Sequence, residues 1–390
     1  MSNHAKDLAR LRAIQKASKS ESFVQRIIFS ALKKISRKIH KLNIYRIITN
    51  ISFKPDVLSR DDFGKEHIRV YGIEKNNELS NPIKLYEIKN GRIDTDNAYS
   101  DCFFTENNGL VEEICLPYSI EKHYSISDNN IFRRYLHSPK VRKVEGTVLS
   151  LISGGGSYNN YYHWLFDALP RISFHAENDL MDEVDFVYVP NYSQEFKQTT
   201  LKKLGIDPLR VIDSSVHRHI SADKIIASTH PNVPRVQKWI CDFLRASFLK
   251  EIPKNIKRRR LYVSRKNASK RKILNEPELV DVLSKSFGFE MVFLEELSFE
   301  EQVLAFYEAE IIVSPHGAGL ANLVFCQPET LIVELFPKNS YSDLYGKISA
   351  SVKLKYSFVQ GYLKSRNSNL DTDFYIKTAH VVEEINKVTK

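Results

Sequence analysis

The chain has 390 residues, 42% of them apolar and 27% charged, with 19 Tyr and 22 Phe, which excludes a disordered or collagen-like polypeptide. That length exceeds what one core usually supports, so two packed domains plus extensions are expected. The net charge of +10 resides in residues 1–50, where twelve Lys/Arg face only Asp7 and Glu21. The balanced remainder excludes a broad nucleic-acid-binding surface.

Within this arm, Val24, Ile28, Ala31, Ile35, Ile39 and Leu42 recur at helical spacing, and Lys33, Lys34, Arg37, Lys38 and Lys41 fill the other faces. An apolar stripe with a cationic remainder suits an anionic membrane surface. No Phe, Tyr or Trp is interleaved with the basic residues between Lys33 and Lys41 to stack on bases. No run of about eighteen apolar residues occurs, and the N-terminus lacks the apolar stretch of a signal peptide. The expected location is cytoplasmic, peripheral on the inner face of the cell membrane. Cys102, Cys115, Cys241 and Cys326 show no CxxC pairing and read as buried thiols of a reducing compartment.

Residues 51–145 suggest strands and turns around 83–88 and 109–116, without a legible function. From 147 onward the pattern alternates. Strands are predicted at 147–152, 184–189, 209–212 and 224–227, and helices at 160–175, 194–204 and 235–249. A polar, Pro-containing run at 251–260 serves as linker. The second unit predicts strands at 260–263, 290–294, 311–314 and 330–335, with helices at 276–287, 299–307 and 320–325. Such alternation argues for parallel, doubly wound α/β sheets.

Three segments carry chemistry. In Ile311-Ile-Val-Ser-Pro-His316-Gly317-Ala318-Gly319-Leu320-Ala-Asn322, an apolar strand runs through two glycines into a helix, a geometry that presents backbone N–H groups to an anion. It is neither a dinucleotide fingerprint, since Asn322 replaces the third glycine, nor a Walker loop. Glu334, at the end of the next strand, could accept bonds from ribose hydroxyls. Arg265 and Arg271 follow the strand at 260–263, where two guanidinium forks could neutralise a diphosphate without a metal. In Asn160-Tyr161-Tyr162-His163-Trp164-Leu165-Phe166-Asp167, helical spacing puts His163 and Asp167 one turn apart, with Arg171 next in line beyond Pro170. An imidazole oriented by a carboxylate suits a general base below the open Gly154-Gly155-Gly156 loop. Asp94-Thr95-Asp96 and Asp371-Thr372-Asp373 both read as turn chemistry rather than metal sites.

Together these blocks resemble glycosyltransferase family 61. The resembling residues are Asn160 to Asp167 with Leu169-Pro170-Arg171; Leu261-Tyr-Val-Ser264-Arg265 with Arg271 and Asn275-Glu276; Leu297-Ser-Phe-Glu-Glu-Gln302; and His316 to Asn322 with Glu334. The resemblance implies a GT-B fold, with two Rossmann-like domains facing a cleft. The expected division is a basic helical extension at 1–50, an acceptor-binding domain at 51–250 and a nucleotide-sugar-binding domain at 251–390. It further implies inverting transfer from a nucleotide-sugar, commonly a UDP-sugar, with no metal and no other cofactor, to a capsular or other surface glycan.

On that reading, His163 and Asp167 are joint candidates for the catalytic base. Ser264, Arg265, Arg271, Asn275, His316, Gly317, Ala318, Gly319, Leu320, Asn322 and Glu334 bind the donor. Asn160, Tyr162, Trp164 and Arg171 bind the acceptor glycan. Two alternatives stand beside it: transfer of a pyruvyl or polyol-phosphate group by the same fold, and a non-catalytic, membrane-associated assembly subunit.

Overall fold

The computed structural model describes residues 58–59, 62–73, 83–96, 100–115, 131, 140–153, 156–176, 180–232, 235–252, 257–363 and 369–389. The basic arm at 1–50, the first two glycines of the Gly154-Gly155-Gly156 loop and part of the expected linker lie outside the described residues.

The first lobe is built on eight strands: β1 (Ile68–Ile73), β2 (Ile83–Lys89), β3 (Arg92–Thr95), β4 (Asp101–Phe104), β5 (Arg142–Ser150), β6 (Phe186–Val189), β7 (Val211–Asp213) and β8 (His219–Ser228). The order is β1-β2-β8-β5-β6-β7, with β3 also on β8 and β4 on β3. Only β5 to β8 form the expected parallel sheet. β2 and β3 run antiparallel along β8, so residues 68–104 add an antiparallel wing to a smaller doubly wound core. Local composition suggested strands there but could not tell their direction, which depends on which existing edge they meet.

The second lobe is all parallel. Strands β9 (Arg259–Val263), β10 (Glu290–Val292), β11 (Ala309–Pro315), β12 (Leu331–Phe336) and β13 (Lys355–Gln360) take the order β10-β9-β11-β12-β13. β12 is buried along its whole length and β11 nearly so, as central strands covered on both faces must be. The intervening helix Glu276–Phe287 ends at Gly288, whose φ of 68° supplies a left-handed cap. Helix Phe299–Glu308 starts with a complete capping box, Ser298 with Glu301. β9 is followed in space by β10 on one side and β11 on the other. The strand order therefore reverses between β9 and β11, and open α/β sheets bind ligands at the carboxyl ends of such a pair.

Between the lobes the apolar core is continuous: Trp164, Leu165 and Phe166 of the first join one buried cluster with Phe299, Leu320 and Phe325 of the second. Phe248, closing helix Lys238–Phe248, sits edge-on to Phe299 at 5.0 Å, and Arg245 donates to the Val324 and Cys326 carbonyls at 2.7 Å each. The four cysteines are buried thiols. No helix among the described residues is long and apolar enough to cross a membrane.

Candidate active site

Where one long helix was predicted over 160–175, the chain makes a turn of α-helix (Tyr161–His163), a π turn (Trp164–Ala168) and a 3-10 turn (Leu169–Ile172). Pro170 has no N–H to give, and the π turn, closed by Leu169 N–H on the Trp164 carbonyl, carries the backbone past it. Asn160 caps the start, its side chain accepting from Tyr162 N at 2.9 Å and His163 N at 3.4 Å. His163 and Asp167 still meet: Nδ1 lies 2.5 Å from Asp167 Oδ2, with His163 29% exposed and Asp167 buried.

Asp167 is held from three sides. Its other oxygen accepts from Asn232 Nδ2 at 2.8 Å, and His230 Nε2 stands 3.8 Å from Oδ2. Burial would raise its pKa, but His230, His163 and Asn232 outweigh that and hold the carboxyl below its usual value. His230 itself is pushed down to about 4, mainly by burial, so it is neutral at pH 7. Asp167 is then a carboxylate, His163 Nδ1 carries the proton that bridges them, and Nε2 is left as the acceptor. His230 and Asn232 were missed in the sequence. The polar run Thr229-His230-Pro231-Asn232 directly after β8, at a strand's carboxyl end, is the signal that could have found them.

Three expected acceptor ligands are corrected by their burial. Trp164 is fully buried and donates to Thr200 Oγ1 at 3.0 Å. Buried Arg171 gives Nε to the Asp167 carbonyl (3.1 Å) and Nη1 to Ser228 O and Oγ (2.7 and 3.0 Å). Tyr162 is buried and its hydroxyl accepts from Asn232 Nδ2 at 3.1 Å. These side chains hold the His163 segment from behind and have almost no surface to offer a ligand.

At the carboxyl ends of β9 and β11 a crevice of about 270 Å³ opens, lined by Ser264, Arg265 and Asn267 on one side and Ser314, Gly317 and Leu320 on the other. Gly319, Leu294 and Glu295 are among its other lining residues. Gly317 has extended backbone that any residue could adopt. What requires glycine is proximity, since a Cβ there would lie 2.0 Å from Arg265 Nη1. The helix predicted at 320–325 is found as a 3-10 helix over Ala318–Phe325, and Ala318 packs on the core.

Arg265 is half-buried; burial first, and then the nearby Arg271, lower its pKa. Arg271 has a φ of 62°, a strained position for a non-glycine residue, and its buried Nε has no hydrogen-bond partner. The turn at 369–373 grips the chain on both sides of it: Lys270 Nζ meets Asp371 Oδ2 at 2.5 Å, and Lys272 N donates to Asp373 Oδ1 at 2.9 Å. The other acidic pair is not wholly in a turn as predicted. Asp94 is buried in β3, which pairs on both edges, while Asp96 accepts from Ser100 N at 2.9 Å.

Several expected donor ligands have other partners. Glu334 is fully buried and cannot reach a ribose. It accepts from Tyr356 OH at 2.6 Å and forms a short bond with His316 Nδ1. Burial raises its pKa despite these partners. Asn322, also fully buried, accepts from Tyr161 OH at 2.5 Å and donates to Gln302 Oε1 at 2.9 Å, which ties the lobes together. Ser264 Oγ donates to Glu276 Oε1 at 2.8 Å, and Asn275 bonds both polar groups of the Ile376 backbone at 2.9 and 3.0 Å.

One ring joins the two groups of residues. Tyr345 lies 5.1 Å from the His316 ring and 6.3 Å from Tyr162, and its phenol, raised mainly by burial, also responds to Glu334, Tyr162, Arg271 and Arg265. The basic crevice, the His316–Glu334 pair and the His163–Asp167 pair therefore converge where the lobes meet. Among the described residues, no group of His, Cys, Asp and Glu is arranged to hold a metal ion.

The family model described as Glycosyltransferase 61 matches residues 161–333, the span that contains both histidine–carboxylate pairs and the crevice, except its last carboxylate. Through this segment the chain is similar to glycosyltransferase family 61. It is 26% identical over 265 residues to a beta-1,2-xylosyltransferase of Oryza sativa subsp. japonica, covering 61% of this chain and 46% of that protein. It is 41% identical over 80 residues to protein O-linked-mannose beta-1,4-N-acetylglucosaminyltransferase 2 of Tetraodon nigroviridis, covering 20% of this chain and 14% of that protein. An EGF domain-specific O-linked N-acetylglucosamine transferase of Gallus gallus is 33% identical over 107 residues, 26% of this chain and 20% of its own length. The chain thus spans less than half the length of each of these relatives.

Proposed function

We propose that this protein is an inverting glycosyltransferase of GT-B architecture that moves a sugar from a nucleotide-sugar, a UDP-sugar in our reading, to a hydroxyl of a surface polysaccharide. The observation that carries the reading is the unpaired Arg271 Nε beside Arg265 at a glycine-lined switch-point crevice. The two guanidinium groups repel each other, with Glu295 and Asp371 only partly offsetting that charge, so an anion that joins them is favoured. A diphosphate carries the matching charge, and the guanidinium groups supply the neutralisation its departure needs. The relatives' names point to transferred xylose or N-acetylglucosamine, so a pentose or an N-acetylhexosamine is the proposed cargo.

In the proposed reaction the acceptor oxygen forms a bond to the anomeric carbon as the bond from that carbon to the phosphate oxygen breaks. The electron pair leaves with the nucleoside diphosphate. His163 Nε2 takes the acceptor proton, and Asp167 stabilises the imidazolium through Nδ1. Glu334 holds His316 Nδ1, and the His316 ring is buried against Phe336 and Tyr345, so its proposed part is to support the glycine turn rather than to meet the phosphate. The basic arm is proposed to hold the enzyme at the anionic inner face of the cell membrane, near lipid-linked acceptors.

Calorimetry with UDP on the wild type and Arg265→Ala tests the reading. Removing a charged contact to the diphosphate should weaken binding at least tenfold. Equal affinity in the two proteins, or no nucleotide binding in the wild type, would overturn the donor assignment. If phosphoenolpyruvate bound in place of any nucleotide, pyruvyl transfer would replace it.

A further inference from the structure

On the far side of His316 from the crevice, three aromatic rings form a connected surface. Phe336, the last residue of β12, stacks on the His316 ring at 5.2 Å with 27° between the planes. It also touches Tyr341 (5.5 Å) and Phe358 (6.0 Å), which lie 5.0 Å from each other. Phe336 is buried, but Tyr341 is 52% and Phe358 42% exposed. The pairing of Glu334 with Phe358 across β12 and β13 puts the exposed ring beside the carboxylate that holds His316, on the outermost strand of the sheet. A turn fixes Tyr341: Ser340 N bonds the Pro337 carbonyl at 3.2 Å, and Gln360 Nε2 bonds the Ser340 carbonyl at 3.1 Å.

Large exposed aromatics that touch one another and, through buried Phe336, connect to a candidate active-site histidine mark a binding surface rather than scattered apolar exposure. The negative face of an aromatic ring attracts electropositive C–H groups, and the C–H face of a pyranose presents a flat array of them. Along the chain, Tyr341 is flanked by the exposed Lys338, Asn339 and Asp343 and the half-buried Ser342, residues of the kind that bond sugar hydroxyls. Position separates donor from acceptor. The crevice lies between β9 and β11, while β13 is two strands beyond β11, roughly 10 Å further across the sheet. A sugar joined to a diphosphate in the crevice would stand over His316, and a sugar on the aromatic surface would lie past it.

We infer that Tyr341 and Phe358 form a stacking subsite for one sugar ring of the acceptor glycan. The inference rests on the transferase reading and adds an acceptor contact in the second lobe. The test uses the full-length protein with UDP present and saturation-transfer NMR on xylotetraose, chitotetraose and maltotetraose as probes. The wild type should transfer saturation to the ring C–H protons of at least one probe. Tyr341→Ala with Phe358→Ala should weaken that binding about fivefold to tenfold, Tyr341→Phe with Phe358→Tyr should retain it, and UDP affinity should be unchanged. A probe signal identical in the double alanine variant, or absent for all three probes in the wild type, overturns the inference. Dissociation of a wild-type dimer by the same substitutions would replace the sugar with a second copy. If the probes stack but no nucleoside diphosphate binds, the subsite stands and the nucleotide-sugar reading alone fails.

Discussion

Replacing Asp167 with asparagine keeps the size of the side chain and reverses one of its bonding faces. The carboxylate now accepts from His163 Nδ1 at 2.5 Å and from Asn232 Nδ2 at 2.8 Å. An amide has only one acceptor oxygen for these two donors. If that oxygen stays toward Asn232, the new NH2 faces His163 and forces Nδ1 to become the acceptor, so the proton moves to Nε2, the atom required as base. If it turns toward His163, two NH2 groups confront each other in a buried site, at a cost of about 1–3 kcal/mol. The first arrangement therefore prevails, and Asp167→Asn should fold yet lose about 10³ to 10⁴ in kcat, about 4 to 5.5 kcal/mol of barrier. Initial rates of sugar transfer, or of donor hydrolysis, read the effect, while UDP affinity stays within about twofold. The variant's imidazole ¹⁵N shifts should show the Nε2–H tautomer. Turnover within threefold of wild type, with that tautomer present, would refute His163 as base.

Three further outcomes follow from the geometry. Gly317→Ala should lower nucleotide affinity about tenfold with little change in melting temperature, because the added Cβ displaces only the movable end of Arg265; unchanged calorimetric affinity would contradict the contact. Lys197 is buried, its Nζ bonding the Ser157, Tyr158 and Pro190 carbonyls, so Lys197→Met should cost about 3 kcal/mol or more in denaturant unfolding and loosen the segment ahead of His163. His230, pushed to about 4 by burial, binds its proton more weakly folded than unfolded. Its contribution to stability is therefore complete above pH 6.5 and falls as pH drops toward 4, by up to about 3 kcal/mol. His230→Gln should show a shallower acid slope between these limits.

How much of this was legible can be judged element by element. Helix Glu276–Phe287 is found at its predicted bounds, and β9, β11 and β12 lie within two residues of theirs, because each is a strong local pattern closed by Pro, Gly or a capping residue. The meeting of His163 with Asp167 was legible too. It depends on four residues of helical backbone, and the π turn left that spacing intact. The antiparallel wing was not legible, since the direction of β2 and β3 is set by the free edge of β8 rather than by their own residues.

By itself, then, the sequence determined where strands end and which of those ends carry glycine, arginine and histidine, and so which segments are candidates for the chemistry. Tertiary structure alone decided which side chains are exposed at the crevice and which are buried. Glu334 reads as a ribose-binding carboxylate at the end of a strand, yet the packed sheet holds it inward on His316 and Tyr356. Asn322 follows two ligand-lining glycines, yet its helix carries it to the other lobe's Tyr161. Arg171 continues the face of His163 and Asp167, yet it is buried against β8. In each case the partner lies 18 to 161 residues away, and local periodicity contains no term for a neighbour that only the packed chain supplies.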